Sequence, residues 1–272
     1  TDTWSMDQPH APYLFFMGVG DFAVVKDTYK GKEVNYYVEK AYEKVARRIF
    51  GDTPEMMAFF SKKLGVEYPW VKYSQMVARD YVSGAMENTT ATLHQESAQQ
   101  DARELTDGNG WESTIAHELF HQWFGDLVTA ESWSNLTVNE SFADYSQLLW
   151  LEHKYGKDEA MFENFNQMRG YIGSGQQSRD LVRFYYKDKE DMFDAVSYNK
   201  GGRILHMLRN LTGDDAFFAS LNKYLTTNKF GTGSGHKLRL AFEEVTGKDW
   251  NWFFNQWYFG NGHPRIDISY QY

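Results

Sequence analysis

His117 and His121 stand four residues apart, Glu118 follows the first of them, and Glu140 lies nineteen positions after the second. On a helix, a four-residue step turns by about 40° and climbs one turn, so both imidazoles share a face. Two imidazoles so placed can close on one divalent ion at about 2.0–2.1 Å each. Ile115, Ala116, Leu119, Phe120 and Trp123 form an apolar stripe nearly opposite the histidines. The stripe can therefore enter a core while the histidines face a cleft. Glu118 points to one side of that face, which suits a proton acceptor better than a third ligand. His-Glu-x-x-His on a helix is a known zinc-peptidase pattern, with the Glu as general base. Glu140 on a second helix would complete three protein ligands and leave a position for water, the arrangement of catalytic rather than structural zinc. By spacing alone, a pair of surface histidines on an amphipathic helix and an exposed Glu remain an alternative.

The elements that must position these groups divide the chain. The chain has 272 residues, 42% apolar and 17% aromatic, ample for a packed interior. Its net charge of −9 argues against a nucleic-acid surface and against simple docking on anionic lipid. It has no cysteine, which excludes disulfides and thiolate-bound zinc. No apolar run reaches the ~20 residues of a membrane-spanning helix. The start at Thr1, without a basic and apolar leader, gives no signal peptide and suggests a segment of a longer protein.

Residues 1–98 read as a strand-rich lobe. Strands are expected in the apolar stretches Tyr13–Gly20 and Phe22–Val25, and a turn into an alternating strand across Thr28–Tyr37. Tyr42–Phe50 and the segment opened by Thr53-Pro54-Glu55 read as helices, the latter with Thr as cap. Tyr73–Val77 and Ala91–Leu93 read as strands flanking a loop at Ser83–Asn88. Residues 99–262 read as a helical lobe holding the metal site. Its expected helices are Trp111–Phe124, Leu136–Tyr155, Ala160–Tyr171, Tyr198–Leu211, Asp215–Asn228, Lys237–Val245 and Trp250–Phe259. Residues 263–272 alternate like the first strand of a following β-domain. The fold class is therefore α+β.

Asn139-Glu140-Ser141-Phe142-Ala143, with Trp133 before it, and the run from His117 through Gln122-Trp123-Phe124-Gly125-Asp126 resemble the gluzincin zinc aminopeptidases. The likeness is greatest to the family of membrane alanyl aminopeptidase and leukotriene hydrolase. It implies a thermolysin-like catalytic domain, one Zn2+ per chain on His117, His121 and Glu140, and Glu118 as general base. Gly84-Ala85-Met86-Glu87-Asn88 looks like that family's exopeptidase motif. There Glu87 is expected to bind the substrate's α-amine, which is largely cationic at neutral pH. Without the resemblance this segment reads as a glycine turn with a solvated Glu. Tyr198, in Tyr198-Asn199-Lys200-Gly201, is similarly expected to donate to the oxyanion; among 18 tyrosines only the resemblance selects it. Asp144, four residues after Glu140, shares its helix face, and thermolysin-like peptidases have an Asp at this offset that orients a ligand His. Asp144 is accordingly expected to support His117.

The chain departs from the family at Ser141, where Gly is common, and at Thr89-Thr90, in place of an aromatic or Gly pair. The resemblance implies peptide substrates with a free N-terminus and flanking domains outside this chain. The alternatives are a zinc endopeptidase, which the zinc motif alone would allow, and a catalytically silent peptide-binding scaffold on the same fold. The other histidines, at 10, 94, 153, 206, 236 and 263, lack ligand spacing and read as structural or surface residues.

Overall fold

The fold was analysed in a computed structural model that describes residues 3–272. Strands β1 (Ala23–Tyr29) and β2 (Lys32–Val38) form an antiparallel hairpin. Its two-residue turn, Lys30-Gly31, has positive φ at both positions, the geometry whose twist matches the strands it joins. Helices α1 (Ala46–Phe50) and α2 (Thr53–Leu64) carry the chain over to β3 (Lys72–Ala78), which lies parallel to β2. Thr53 is the first residue of α2 rather than its cap, and its hydroxyl donates back to the Phe50 carbonyl at 2.6 Å. A short strand β4 (Ala85–Met86) precedes β5 (Ala91–Gln95). The sheet order is β1-β2-β3-β5-β4, with β5 parallel to β3 and β4 antiparallel to β5. β4 is therefore an edge strand with one side unpaired.

The stretch Tyr13–Gly20 was expected to be a strand. It instead forms a single 3-10 turn at Pro12–Leu14, and Phe15, Met17 and Val19 are exposed. Among the described residues it pairs with no strand, and it lies instead against the side chain of Met76 on β3. Tyr13 turns inward, packing on Trp133 with ring centroids 5.4 Å apart.

The second half is helical: α3 (Glu112–His121), α4 (Thr137–Lys154), α5 (Lys157–Gly173), α6 (Gly201–Thr212), α7 (Asp214–Asn228), α8 (Gly235–Thr246) and the short α9 (Asn251–Phe253). Between α3 and α4 runs β6 (Val128–Ala130), paired in parallel with β7 (Gly231–Gly233). The expected helix Trp250–Phe259 starts as α9 and then widens into a π-turn at Phe254–Tyr258. Residues 263–272 form no strand; alternation cannot make a ladder without a neighbouring edge. A strand-rich lobe followed by a helical one is the α+β arrangement read from the sequence.

The stripe on α3 lies in the core as its phase requires: Ile115, Ala116, Leu119 and Phe120 are buried, and Trp123, in the turn just past the helix end, is buried with them. Burial of each large side chain contributes about 1.5–3 kcal/mol. Phe120 meets Phe60 of α2 edge-on at 4.9 Å, and Phe124 stacks on Phe142 of α4 at 4.2 Å. Ser146 on α4, whose hydroxyl donates to the Ala143 carbonyl at 2.7 Å, also lies 3.3 Å from the Ala116 carbonyl of α3. These contacts lock α3 against α4, and so fix the histidines of one relative to Glu140 of the other.

Candidate active site

His117 and His121 on α3 and Glu140 in the first turn of α4 converge. His117 Nε2 and His121 Nε2 are 3.1 Å apart, and each lies 3.3 Å from Glu140 Oε2. A tetrahedral ion with bonds of about 2.0–2.1 Å has donor–donor edges of about 3.3 Å. The triangle therefore has the size of one face of a zinc tetrahedron, and its donor set is one zinc accepts. All three side chains are buried. Their charges agree with this reading. Burial acts to raise the Glu140 pKa, but His121 and hydrogen bonds to both imidazoles prevail and hold the carboxyl far below its ordinary range. Burial likewise opposes charge on His121, yet Glu87 and Glu140 push its pKa well up. The pocket is built to hold positive charge, which a divalent cation would supply.

The rings are oriented from behind. His121 Nδ1 lies 2.9 Å from the Phe124 carbonyl, which accepts its proton and leaves Nε2 free for a metal. Gly125, at φ 138°, turns the chain beneath this ring; a Cβ there would lie 3.1 Å from His121 Nδ1.

The expected support of His117 by Asp144 is not what the geometry offers. The end of the Gln147 side-chain amide stands 3.1 Å from His117 Nδ1. The amide nitrogen stands at that position, and with His117 Nε2 turned to the ligand triangle and Nδ1 carrying the ring proton, a half-turn of the Gln147 amide brings its carbonyl oxygen there as acceptor. Asp144 lies instead near Arg203 of α6, 3.7 Å from its Nη2, and Asp144 Oδ2 has no hydrogen-bond partner among the described residues. Helix phase explains the difference. A step of seven from Glu140 falls within about 20° of its direction, whereas a step of four diverges by about 40°. Gln147→Leu should therefore weaken zinc binding by about 10–100-fold, the usual cost of losing such a support. Competition with a chromogenic chelator would measure it; unchanged affinity would remove Gln147 from the site.

Glu118 is buried beside the triangle, and its Oε2 has no partner among the described residues. Burial, then the neighbouring Glu87 and Glu140 charges, raise its pKa against the pull of His121. Glu87 follows β4 directly, and burial raises its pKa too. Donor atoms of Glu87, Glu118 and His121 lie within 4.8 Å of one another. This second cluster is not a second metal site. The His121 Nε2 already serves the triangle, and its Nδ1 is engaged by Phe124. What remains is a pair of carboxylates at the rim of the metal pocket. Asp126, also buried with neither oxygen partnered among the described residues, adds a further acidic group nearby.

Tyr198 lies on a π-turn, Val196–Lys200, immediately before α6. Its ring runs nearly parallel to that of His117 at 6.0 Å, which brings it to the triangle. Burial, then Glu140, Glu87 and Glu118, push its phenol pKa well up, so it remains a neutral donor. Two groups shape the turn. Asp194 Oδ1 accepts from the Val196 and Ser197 amides at 3.0 Å, while its Oδ2 is held by Arg179 and Arg183 at 2.8 and 2.7 Å. Ser141, next to the ligand Glu140, donates to the Ser197 carbonyl at 2.6 Å. Gly201 permits that approach, since a Cβ there would come 1.9 Å from Ser141 Oγ.

The structure thus brings His117, His121, Glu140, Glu118, Glu87 and Tyr198 into one site. The edge strand Ala85-Met86 packs against α3 and so borders it, and Asn88 is buried with its amide 3.3 Å from the Leu14 carbonyl. Asp144 is present but turned aside. Sequence reading missed Gln147, Asp194 and β4. The seven-residue step from Glu140 was the one signal that could have pointed to Gln147.

The pattern of the peptidase family M1 domain matches residues 49–257. The chain is 30% identical over 268 residues to the tricorn protease-interacting factor F2 of Thermoplasma volcanium, covering 94% of this chain and 34% of that protein. It is 29% identical over 266 residues to probable aminopeptidase 1 of Sulfurisphaera tokodaii, with 94% and 34% covered. Against aminopeptidase N of Streptomyces lividans it is 32% identical over 222 residues, covering 78% of this chain and 26% of the relative. The chain spans about a third of the length of the first of these relatives. No described helix is long and apolar enough to cross a membrane. Metal triangle, neighbouring acids and matched pattern together place the chain in peptidase family M1.

Proposed function

We propose that this chain is the catalytic part of a zinc aminopeptidase that removes N-terminal residues from peptides. The observation that carries the reading is the closeness of Glu87 to the metal triangle through Glu118 and His121. A carboxylate fixed there can hold an α-ammonium one residue away from the bond to be cut, so the amino terminus measures the cleavage site. His117, His121 and Glu140 would hold the zinc, which when bound supplies a Lewis acid and lowers the pKa of water toward about 7.

The chain's own residues do the rest. Glu118 Oε2 accepts the proton of the attacking water and passes it to the leaving amine. The Tyr198 hydroxyl donates to the oxygen on which negative charge develops. The unpaired edge of β4 can receive the substrate backbone as an added strand, fixing its register against Glu87.

Glu87→Ala should lower kcat/KM for a free-amine aminoacyl substrate by about 10–100-fold, the scale of one charge-assisted hydrogen bond. Zinc content should not change. Steady-state kinetics on the free-amine substrate and its N-acetylated twin would test this. Equal cleavage of the two by the unaltered enzyme would favour the endopeptidase reading instead.

A further inference from the structure

We propose that Gln122 is a positioning residue for amine recognition: it clamps the turn Glu87–Thr90 to the end of the metal helix and so sets where Glu87 points. The proposal rests on the reading of Glu87 as the amine anchor.

Gln122 directly follows His121 and is fully buried. Its Nε2 donates to the Glu87 carbonyl at 3.0 Å, and its Oε1 accepts from the Thr90 amide at 3.0 Å. Tyr68 Oη approaches the same Oε1 at 3.3 Å, and Trp70 Nε1 donates to the Gln122 main-chain oxygen at 2.9 Å. One planar amide thus pairs with both ends of the turn, as a neighbouring strand would. β4 has only two residues and ends at Met86, so the sheet ladder does not extend to Glu87. Gln122 takes over where the ladder stops.

The turn needs such a hold. Thr90 has φ 67°, a left-handed conformation that a β-branched residue adopts only under constraint. The constraints are visible. Gln122 holds the Thr90 amide, Ser74 donates to the Thr90 carbonyl at 2.8 Å, and Ala91 donates to the Asn88 carbonyl at 2.9 Å. If the Gln122 amide is lost, the Glu87 carbonyl and the Thr90 N–H lose their partners, and only the Ser74 and Ala91 contacts still oppose rotation of Thr90 toward negative φ. That rotation lies three residues from Glu87 and would carry its carboxylate out of register with the metal triangle. Gln122 reaches Glu87 only through the backbone, so its effect falls on amine recognition and not on the chemical step. The role demands a donor and an acceptor on one flat group of this length. Asn is one methylene short, and Glu would set an oxygen against the Glu87 carbonyl while keeping the contact to Thr90.

The test uses the zinc-loaded enzyme, with Gln122→Glu, Gln122→Met and Glu87→Ala compared with the unaltered protein. Zinc affinity is measured first, then kcat and KM on a free-amine aminoacyl substrate and its N-acetylated twin. Both Gln122 variants should bind zinc within about threefold of the unaltered enzyme and lose about 10–100-fold in kcat/KM on the free amine. The acetylated substrate should change by less than about threefold, so the preference for a free amine collapses toward that of Glu87→Ala. Equal losses on both substrates, or a preserved preference while Glu87→Ala loses it, would overturn the role of Gln122 and leave the aminopeptidase reading standing. If Glu87→Ala itself keeps the preference, the Glu87 assignment fails and the role of Gln122 fails with it. Should Gln122→Met not fold, Gln122→Glu decides alone, because it retains the side-chain volume and the acceptor half of the clamp.

Discussion

Replacing Glu118 by Gln should leave zinc bound and lower kcat by about 10²–10⁴-fold, the range that a positioned general base contributes. The substitution removes a proton acceptor at nearly constant volume. Glu118 lies outside the triangle of 3.1 and 3.3 Å edges formed by His117, His121 and Glu140. Zinc affinity therefore has no reason to fall. The unpartnered Oε2 faces no donor among the described residues, so no structural hydrogen bond is sacrificed either. The measurement pairs zinc stoichiometry with single-turnover rates on an aminoacyl substrate. A zinc-loaded variant that still turns over near the original rate would end the assignment of Glu118 as base. A variant that has lost its zinc would instead make Glu118 part of the metal site.

Tyr198→Phe should cost about 10²–10³-fold in kcat, the effect of deleting one oxyanion donor, with KM and zinc binding nearly unchanged. The ring remains, so its packing beside His117 is kept and only the hydroxyl is lost. Burial, the largest cause of the raised phenol pKa, persists with zinc bound, so Tyr198 should stay protonated through neutral pH and no alkaline loss of activity should trace to it. Comparing pH profiles of the two enzymes tests this directly: the curves should be parallel and displaced in rate. A basic limb that vanished in Tyr198→Phe would show that the phenol titrates and does not serve as a constant donor.

The kinetic patterns separate the roles. Loss at Glu118 or Tyr198 acts in the transition state and appears in kcat. Loss at Glu87 acts through amine binding and depends on whether the substrate has a free amine. Loss at Gln147 appears first as weaker zinc binding. A single panel of variants, with zinc affinity measured before kinetics, therefore tests each assignment by a different readout.

The histidine pair was legible in the sequence because it is written within one helix, whereas Glu140, Glu87 and Tyr198 rested on the family resemblance. The four-residue spacing of His117 and His121 and the opposed stripe at Ile115, Ala116, Leu119 and Phe120 follow from helical periodicity and hold in the structure, while Trp123 lies past the helix end. The lobes, most helices and the β1–β2 hairpin were readable for the same reason: period and turn chemistry are local. Errors fell where pairing partners decide. Tyr13–Gly20 has strand composition but joins no ladder among the described residues, while Ala85-Met86, read as loop, becomes a strand because β5 lies beside it. Asp144 was placed on the correct helix, but Arg203 of α6 stands beside it and Gln147 reaches His117 instead.

The sequence by itself therefore put two imidazoles on one helix face with Glu118 beside them, and the family resemblance added Glu140 as the third candidate ligand. Tertiary structure decided which side chains hold those groups in place: Gln147 behind His117, Gln122 beneath Glu87, and Asp194 and Ser141 around the turn of Tyr198. The physical reason is the range of the forces. Helix phase is fixed by neighbours three and four residues away, whereas a hydrogen bond closes only when two distant elements are packed to within a few tenths of an ångström.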